Sequence, residues 1–174
     1  MLKKMKTKIL LGLSLGIMAG IIIYGSIYPE SLERMLKQPE FYSHAKFIHI
    51  IATALFFSNA VIGMIWEARS LVSRDPDIIR HTYDTVSWLD ASFSSPMIVL
   101  SLLSGLMLGT IMGGLLSAEW MTFSFGLFIL SGIVWVSADI PTQYKVNRVF
   151  KTVEPGAKQM PDELMRLLWF SMKI

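Results

Sequence analysis

Four long apolar runs decide what this chain can fold into: residues 9–28 (ILLGLSLGIMAGIIIYGSIY), 46–66 (KFIHIIATALFFSNAVIGMIW), 91–116 (ASFSSPMIVLSLLSGLMLGTIMGGLL) and 120–138 (WMTFSFGLFILSGIVWVSA). A helix rises about 1.5 Å per residue, so each run is long enough to cross a hydrocarbon core of about 30 Å. The sequence therefore predicts an all-α membrane protein, a four-transmembrane-helix bundle forming one membrane domain over 1–174. Composition agrees. Only 17% of the residues are charged and 53% are hydrophobic, where a soluble domain carries roughly 25% charge. The first run follows Lys3, Lys4, Lys6 and Lys8, as a signal peptide would. It is too long and has no Ala-x-Ala site, so it reads as an uncleaved anchor.

Lysine and arginine give the orientation. Lys3, Lys4, Lys6 and Lys8 precede the first span, Arg69, Arg74 and Arg80 lie between the second and third, and Lys145, Arg148, Lys151, Lys158, Arg166 and Lys173 follow the fourth. The opposite side receives only Arg34, Lys37 and Lys46. Both termini are expected in the cytoplasm of a bacterial cell, with the chain in its cytoplasmic (inner) membrane. Net charge of +3 is thus sorted by membrane side and does not form a nucleic-acid footprint. The partner it implies is the lipid bilayer. Residues 29–45 read as a small helix on the outer surface between Pro29 and Pro39, and Gly113, Gly114 and Ser117 read as a tight turn. The cytoplasmic tail, 140–174, ends in a segment, 162–174, expected to be an interfacial helix or the first half of a truncated fifth span.

At 100° per residue the second run has one polar stripe: His49, Thr53, Phe56, Ala60, Gly63 and Glu67, flanked by Ala52 and Asn59, with Ile51, Leu55, Val61, Ile62 and Ile65 opposite. The third carries Asp90, Ser94, Met97, Ser101, Ser104, Gly105 and Leu108 against Val99, Leu102, Leu103 and Leu106, and the fourth carries Ser124, Phe128, Ser131, Trp135 and Asp139. Polar groups are costly in hydrocarbon, so these stripes are expected to face other helices. Gly12, Gly16 and Gly20, and again Gly105, Gly109 and Gly113, recur every fourth residue. Such rows let helix backbones approach closely, and the first is a candidate seam for a homodimer or a partner in a larger membrane complex. Pro96 is expected to kink the third span, with Ser92, Ser94 and Ser95 satisfying the freed carbonyl.

Two constellations can carry chemistry. Glu67, Asp90 and Asp139 stand at the cytoplasmic ends of their spans, each near a tryptophan. Together they can bind a divalent cation, accept a proton, or lock Arg69, Arg80 or Lys145 between helices. His49 is the only histidine inside a span, with Lys46 one turn before it and Asn59 farther along. It can serve as a hydrogen-bonded structural group, a haem or metal ligand, or a proton relay. A haem would need His49 with a methionine, or the same histidine from a second subunit. His81, in the loop after the second span, reads as solvated. The absence of cysteine excludes thiolate metal sites, iron–sulfur clusters and a cysteine nucleophile. Nothing forms a hydrolase triad, a phosphate loop or a paired metal-ligand motif.

The stretches KFIHIIATALFFSNAVIGMIWEARS (46–70), SRDPDIIRHTYDTVSWLDASFSSP (73–96), LSGLMLG (103–109) and FILSGIVWVSADIPTQ (128–143) resemble a family of predicted bacterial integral membrane proteins of unknown function. That family is distantly similar to the copper-resistance CopD-type membrane domain and to the membrane protoporphyrinogen oxidase of bacterial haem synthesis. The resemblance covers about residues 44–150 and implies a haem b, porphyrin or copper role at His49. The first span precedes the shared region. Three functions follow as expectations: a haem- or metal-binding or accessory subunit; a proton- or cation-linked transporter using Asn59, Asp90 and the serine stripe; and a haem-pathway membrane oxidoreductase.

Overall fold

A computed structural model describes residues 2–153, 157 and 159–171, and the elements among them are all helical. Eight α-helices follow one another: α1 (Leu2–Ile27), α2 (Pro29–Leu36), α3 (Tyr42–Ser73), α4 (Pro76–Leu89), α5 (Ser95–Ile111), α6 (Glu119–Val134), α7 (Ile140–Phe150) and α8 (Asp162–Ser171). Four stretches among the described residues are long and apolar enough to cross a membrane: Ile9–Ile27, Pro39–Ser73, Pro76–Ile111 and Glu119–Ala138. This is an all-α membrane fold with four candidate spans. Rows such as Phe47, Ile50, Ile51, Phe57, Ile62 and Ile65 on α3 stand exposed, an apolar surface that water would not tolerate and lipid favours.

The third helix differs from its apolar run, read as 91–116. It starts at Pro76 and stops at Ile111. The early start has a local cause: Asp75 Oδ1 accepts the amides of Asp77 (2.9 Å) and Ile78 (3.3 Å), and Pro76 takes the first helical position, where a missing N–H costs nothing. The helix ends at Gly113 and Gly114, whose φ values of +102° and +111° belong to the left-handed region that glycine enters freely. Gly113 therefore belongs to the turn between α5 and α6, as the sequence reading of 113–117 expects.

Two π-helical turns interrupt the spans, at Asp90–Ser94 and Trp135–Asp139. Each lies just ahead of a proline, Pro96 and Pro141. Proline has no amide to donate and its ring presses on the carbonyl four residues back, so the preceding turn widens. At the first, both the amide and the hydroxyl of Ser95 reach the Asp90 carbonyl, the hydroxyl at 2.9 Å. Ser92 Oγ donates to the Trp88 carbonyl at 2.5 Å. Serine hydroxyls thus add a second donor to two carbonyls at this turn, those of Trp88 and Asp90.

Contacts divide the chain into two compact units, Met1–Ala60 with Ser87–Phe125, and Val61–Val86 with Gly126–Ile174. In the first, α1 and α2 pack along α5, and the buried set is small or polar: Ala45, Ala52, Ala91, Ser94, Ser95 and Ser104, with Leu102, Leu106 and Met121. Leu102 and Leu106 are buried although their side of the helix reads as lipid-facing, because α5 has neighbours on more than one flank. The second unit has a different interior. Leu71, Ile79, Val146, Phe150, Val153, Met160, Leu164, Met165 and Leu168 form one apolar cluster, drawn from residues outside the four runs. Within it α8 turns Leu164, Met165 and Leu168 inward and leaves Trp169 and Phe170 exposed. The approach to α8 is tied to the end of α3: the Met160 amide donates to the Arg74 carbonyl at 3.0 Å, and Arg74 pairs with Asp162 at 3.1 Å. Truncating the fully buried Leu168 removes a side chain that the surrounding atoms cannot replace, at a cost of about 2–5 kcal/mol. Leu168→Ala is expected to make the segment after Val153 cleavable by trypsin under conditions that leave the wild type intact.

Candidate functional site

In the first unit α3 and α5 run antiparallel, and the polar residues of the two helices meet in pairs. His49 Nδ1 lies 2.9 Å from the Ser101 carbonyl. A carbonyl can only accept, so the proton is on Nδ1, and in the neutral ring Nε2 is left with a lone pair. Ser104 Oγ donates to the Leu100 carbonyl at 2.6 Å and sits 3.3 Å from His49 Nδ1, offering a second acceptor. Thr53 Oγ1 and Ser101 Oγ are 2.8 Å apart. The ring has room because Gly105 faces it: a Cβ there would stand 3.0 Å from His49 Cε1 and 3.3 Å from Nδ1. His49 Nε2 has no hydrogen-bond partner among the described residues, and it is not among the sealed atoms lacking one. The ring is thus held through one nitrogen and offers the other.

Farther along α3, Asn59 Nδ2 donates to Ser94 Oγ at 2.7 Å and lies 3.4 Å from Asp90 Oδ1. Both partners belong to the first π-turn. An asparagine in mid-span therefore fastens α3 to the point where the third span departs from α-helical geometry. Most other hydroxyls of the spans serve their own helix: Thr110, Ser124 and Ser137 each donate to the carbonyl four residues back.

The remaining sequence candidates fall in several places. Lys46 lies over the Tyr42 ring, 5.9 Å from its centroid. Glu67 is half-buried in the second unit and Asp90 half-buried in the first, while the side chain of Asp139 lies outside the described residues. Among the described residues no three His, Asp or Glu side chains are arranged to hold a metal ion. Gly105 is packed by His49, and Gly109 by Leu115. Nothing lies within 4 Å of a Cβ built at Gly12, Gly16 or Gly20, so that row faces outward from α1. The pairing of His49 with Ser101 and Ser104 was visible in the sequence only as two separate stripes. The available signal was Gly105, the one residue able to leave space for a ring.

Residues 43–174 match the family described as "Predicted integral membrane protein (DUF2269)". The chain belongs to this family. No curated protein and no solved structure matches it. The matched region begins at the first turn of α3 and contains His49, Asn59 and both π-turns, whereas α1 and α2 stand before it.

The packing over Gly105 makes a paired prediction. Gly105→Ala presses on a ring pinned by its bond to Ser101 and is expected to cost about 1–3 kcal/mol, visible as a lower thermal midpoint in detergent. Gly132→Ala, on α6 with nothing within 4 Å of an added Cβ, is expected to leave that midpoint unchanged.

Proposed function

We propose that this DUF2269 protein is a ligand-binding or accessory subunit of the bacterial cytoplasmic membrane, both termini inside, in which His49 presents Nε2 to the iron of a haem. The observation that carries the reading is the Nδ1 bond to the Ser101 carbonyl. Ligating histidines characteristically donate their other nitrogen to a carbonyl or carboxylate, which fixes the tautomer and raises the basicity of the ligating atom. A bare ion would need several side chains, and the described residues gather no such set. A porphyrin brings four nitrogens of its own and asks the protein for one or two axial ligands. When bound, haem would supply one-electron chemistry. The chain's part is to orient the imidazole and hold the proton on Nδ1. The second axial ligand would come from a methionine or from a second copy; the outward row of Gly12, Gly16 and Gly20 supports association of copies through α1.

The test is the absorption spectrum of detergent-purified protein from haem-sufficient cells, oxidised and dithionite-reduced. Wild type is expected to show a Soret band, His49→Gly to lose it, and added imidazole to restore it in that variant. A colourless wild type overturns the reading.

A second reading, a proton- or cation-linked carrier, draws on Asn59, Ser94 and Asp90 meeting at a π-turn, a geometry that recurs at functional positions in helices. It predicts that vesicles containing the protein carry a pH-driven ion flux and that Asp90→Asn abolishes at least nine-tenths of it, roughly the tenfold effect of 1.4 kcal/mol. Equal flux in protein-free vesicles would dismiss it.

A further inference from the structure

The second unit contains a groove that none of the roles above uses. It has a volume of about 520 Å³ and lies between the end of α3 and the middle of α4. We propose that it binds the phosphate of an anionic phospholipid headgroup. Arg69 and His81 line it from the two helices, with Thr82 beside them. Among the described residues, the Arg69 guanidinium, the His81 ring and the Thr82 hydroxyl have no hydrogen-bond or ion-pair partner. By contrast, Arg74 is paired with Asp162 and Arg80 donates to the Phe150 carbonyl at 3.0 Å. The other two hydroxyls in the wall, Ser70 and Thr85, donate to the carbonyls of Glu67 and His81. They shape the groove and leave the donating to the first three groups. No carboxylate lines it. A forked guanidinium with an imidazole and a hydroxyl, with no carboxylate in the lining, is the chemistry that recognises a phosphate.

Position identifies the source of that phosphate as lipid. The apolar face of α3 runs from Phe47 to Trp66, about 29 Å along the helix at 1.5 Å per residue, which spans a hydrocarbon core. Trp66 therefore stands where tryptophan concentrates, at the boundary of lipid and water. It forms one wall of the groove, Ile78 forms part of another, and both are about half exposed. One helical turn before Trp66 and Arg69 come Ile62 and Ile65, also exposed. A headgroup seated on Arg69 thus has its acyl chains beside an apolar ridge on the same helix. A free phosphate ion would have no use for that ridge.

The test is native mass spectrometry of the detergent-solubilised full chain, delipidated and then titrated separately with short-chain phosphatidylglycerol, short-chain phosphatidylcholine and inorganic phosphate. Wild type is expected to retain phosphatidylglycerol over phosphatidylcholine. Arg69→Gln is expected to weaken retention about tenfold, the loss of one charge-assisted contact, with Arg69→Lys intermediate. Arg148→Gln, an exposed cation outside the groove, is expected to change nothing. Circular dichroism of the variants verifies that they remain folded. Equal retention of both lipids, equal loss in Arg148→Gln, or displacement of phosphatidylglycerol by inorganic phosphate would each overturn the proposal. None of these outcomes depends on whether His49 binds a haem.

Discussion

The bond from His49 to the Ser101 carbonyl is the joint from which the first unit can be understood. In a bilayer, apolar side chains gain nothing by leaving lipid for protein, so the register of two helices depends on polar contacts and on close approach over small residues. α3 and α5 use both. His49, Thr53 and Asn59 find Ser101, Ser104 and Ser94 in antiparallel order, and Gly105 admits the ring. A slip of either helix would break all of these pairs together and leave several polar groups in hydrocarbon. Asn59 also explains how a π-turn persists in mid-span: the wide turn at Asp90–Ser94 presents Ser94 and Asp90 to the one amide side chain opposite.

Much of this was legible in the sequence because it rests on simple periodicities. Run length alone identifies four candidate spans, and a period of 3.6 identifies the half-buried face of α3, on which His49, Ala52, Thr53, Phe56, Asn59 and Gly63 all lie. The same periodicity fails for α5. Leu102 and Leu106 are buried because α1 and α2 flank that helix, and a single helical wheel cannot register how many neighbours a helix has. Pro96 announced a disturbance, but not that it would be a π-turn, which depends on Ser95 donating twice to one carbonyl. The segment 76–89 read as a loop because its apolar residues are few; its helix rests on the Asp75 cap and on Ile79 and Val86 being buried. For the site, the sequence supplies the residues of the His49 cluster and the structure supplies their pairing. Arg69 read as a partner of the acidic cluster and His81 as solvated, with nothing to join them, since the turn at Arg74 that brings α3 and α4 together carries no glycine to announce it. Arg74 enters the left-handed region itself, at φ 56°.

The two units also differ in what fills them. One buries alanine and serine against a few larger side chains; the other buries leucine, isoleucine, phenylalanine and methionine. The first kind of interior suits association in lipid and the second suits association in water.

This difference has a thermodynamic consequence. Exposure of apolar side chains to water produces the large positive heat-capacity change of unfolding and the curvature of stability with temperature, whereas parting serine- and glycine-lined helices within lipid exposes almost no new apolar surface to water. The cluster from Leu71 to Leu168 should therefore supply nearly all the heat-capacity change of this chain. Cooling, chaotropes and excluded osmolytes act through that term. They would bear on that cluster, while lipid thickness and composition govern the paired helices of the spans, so one polypeptide answers to two solvents.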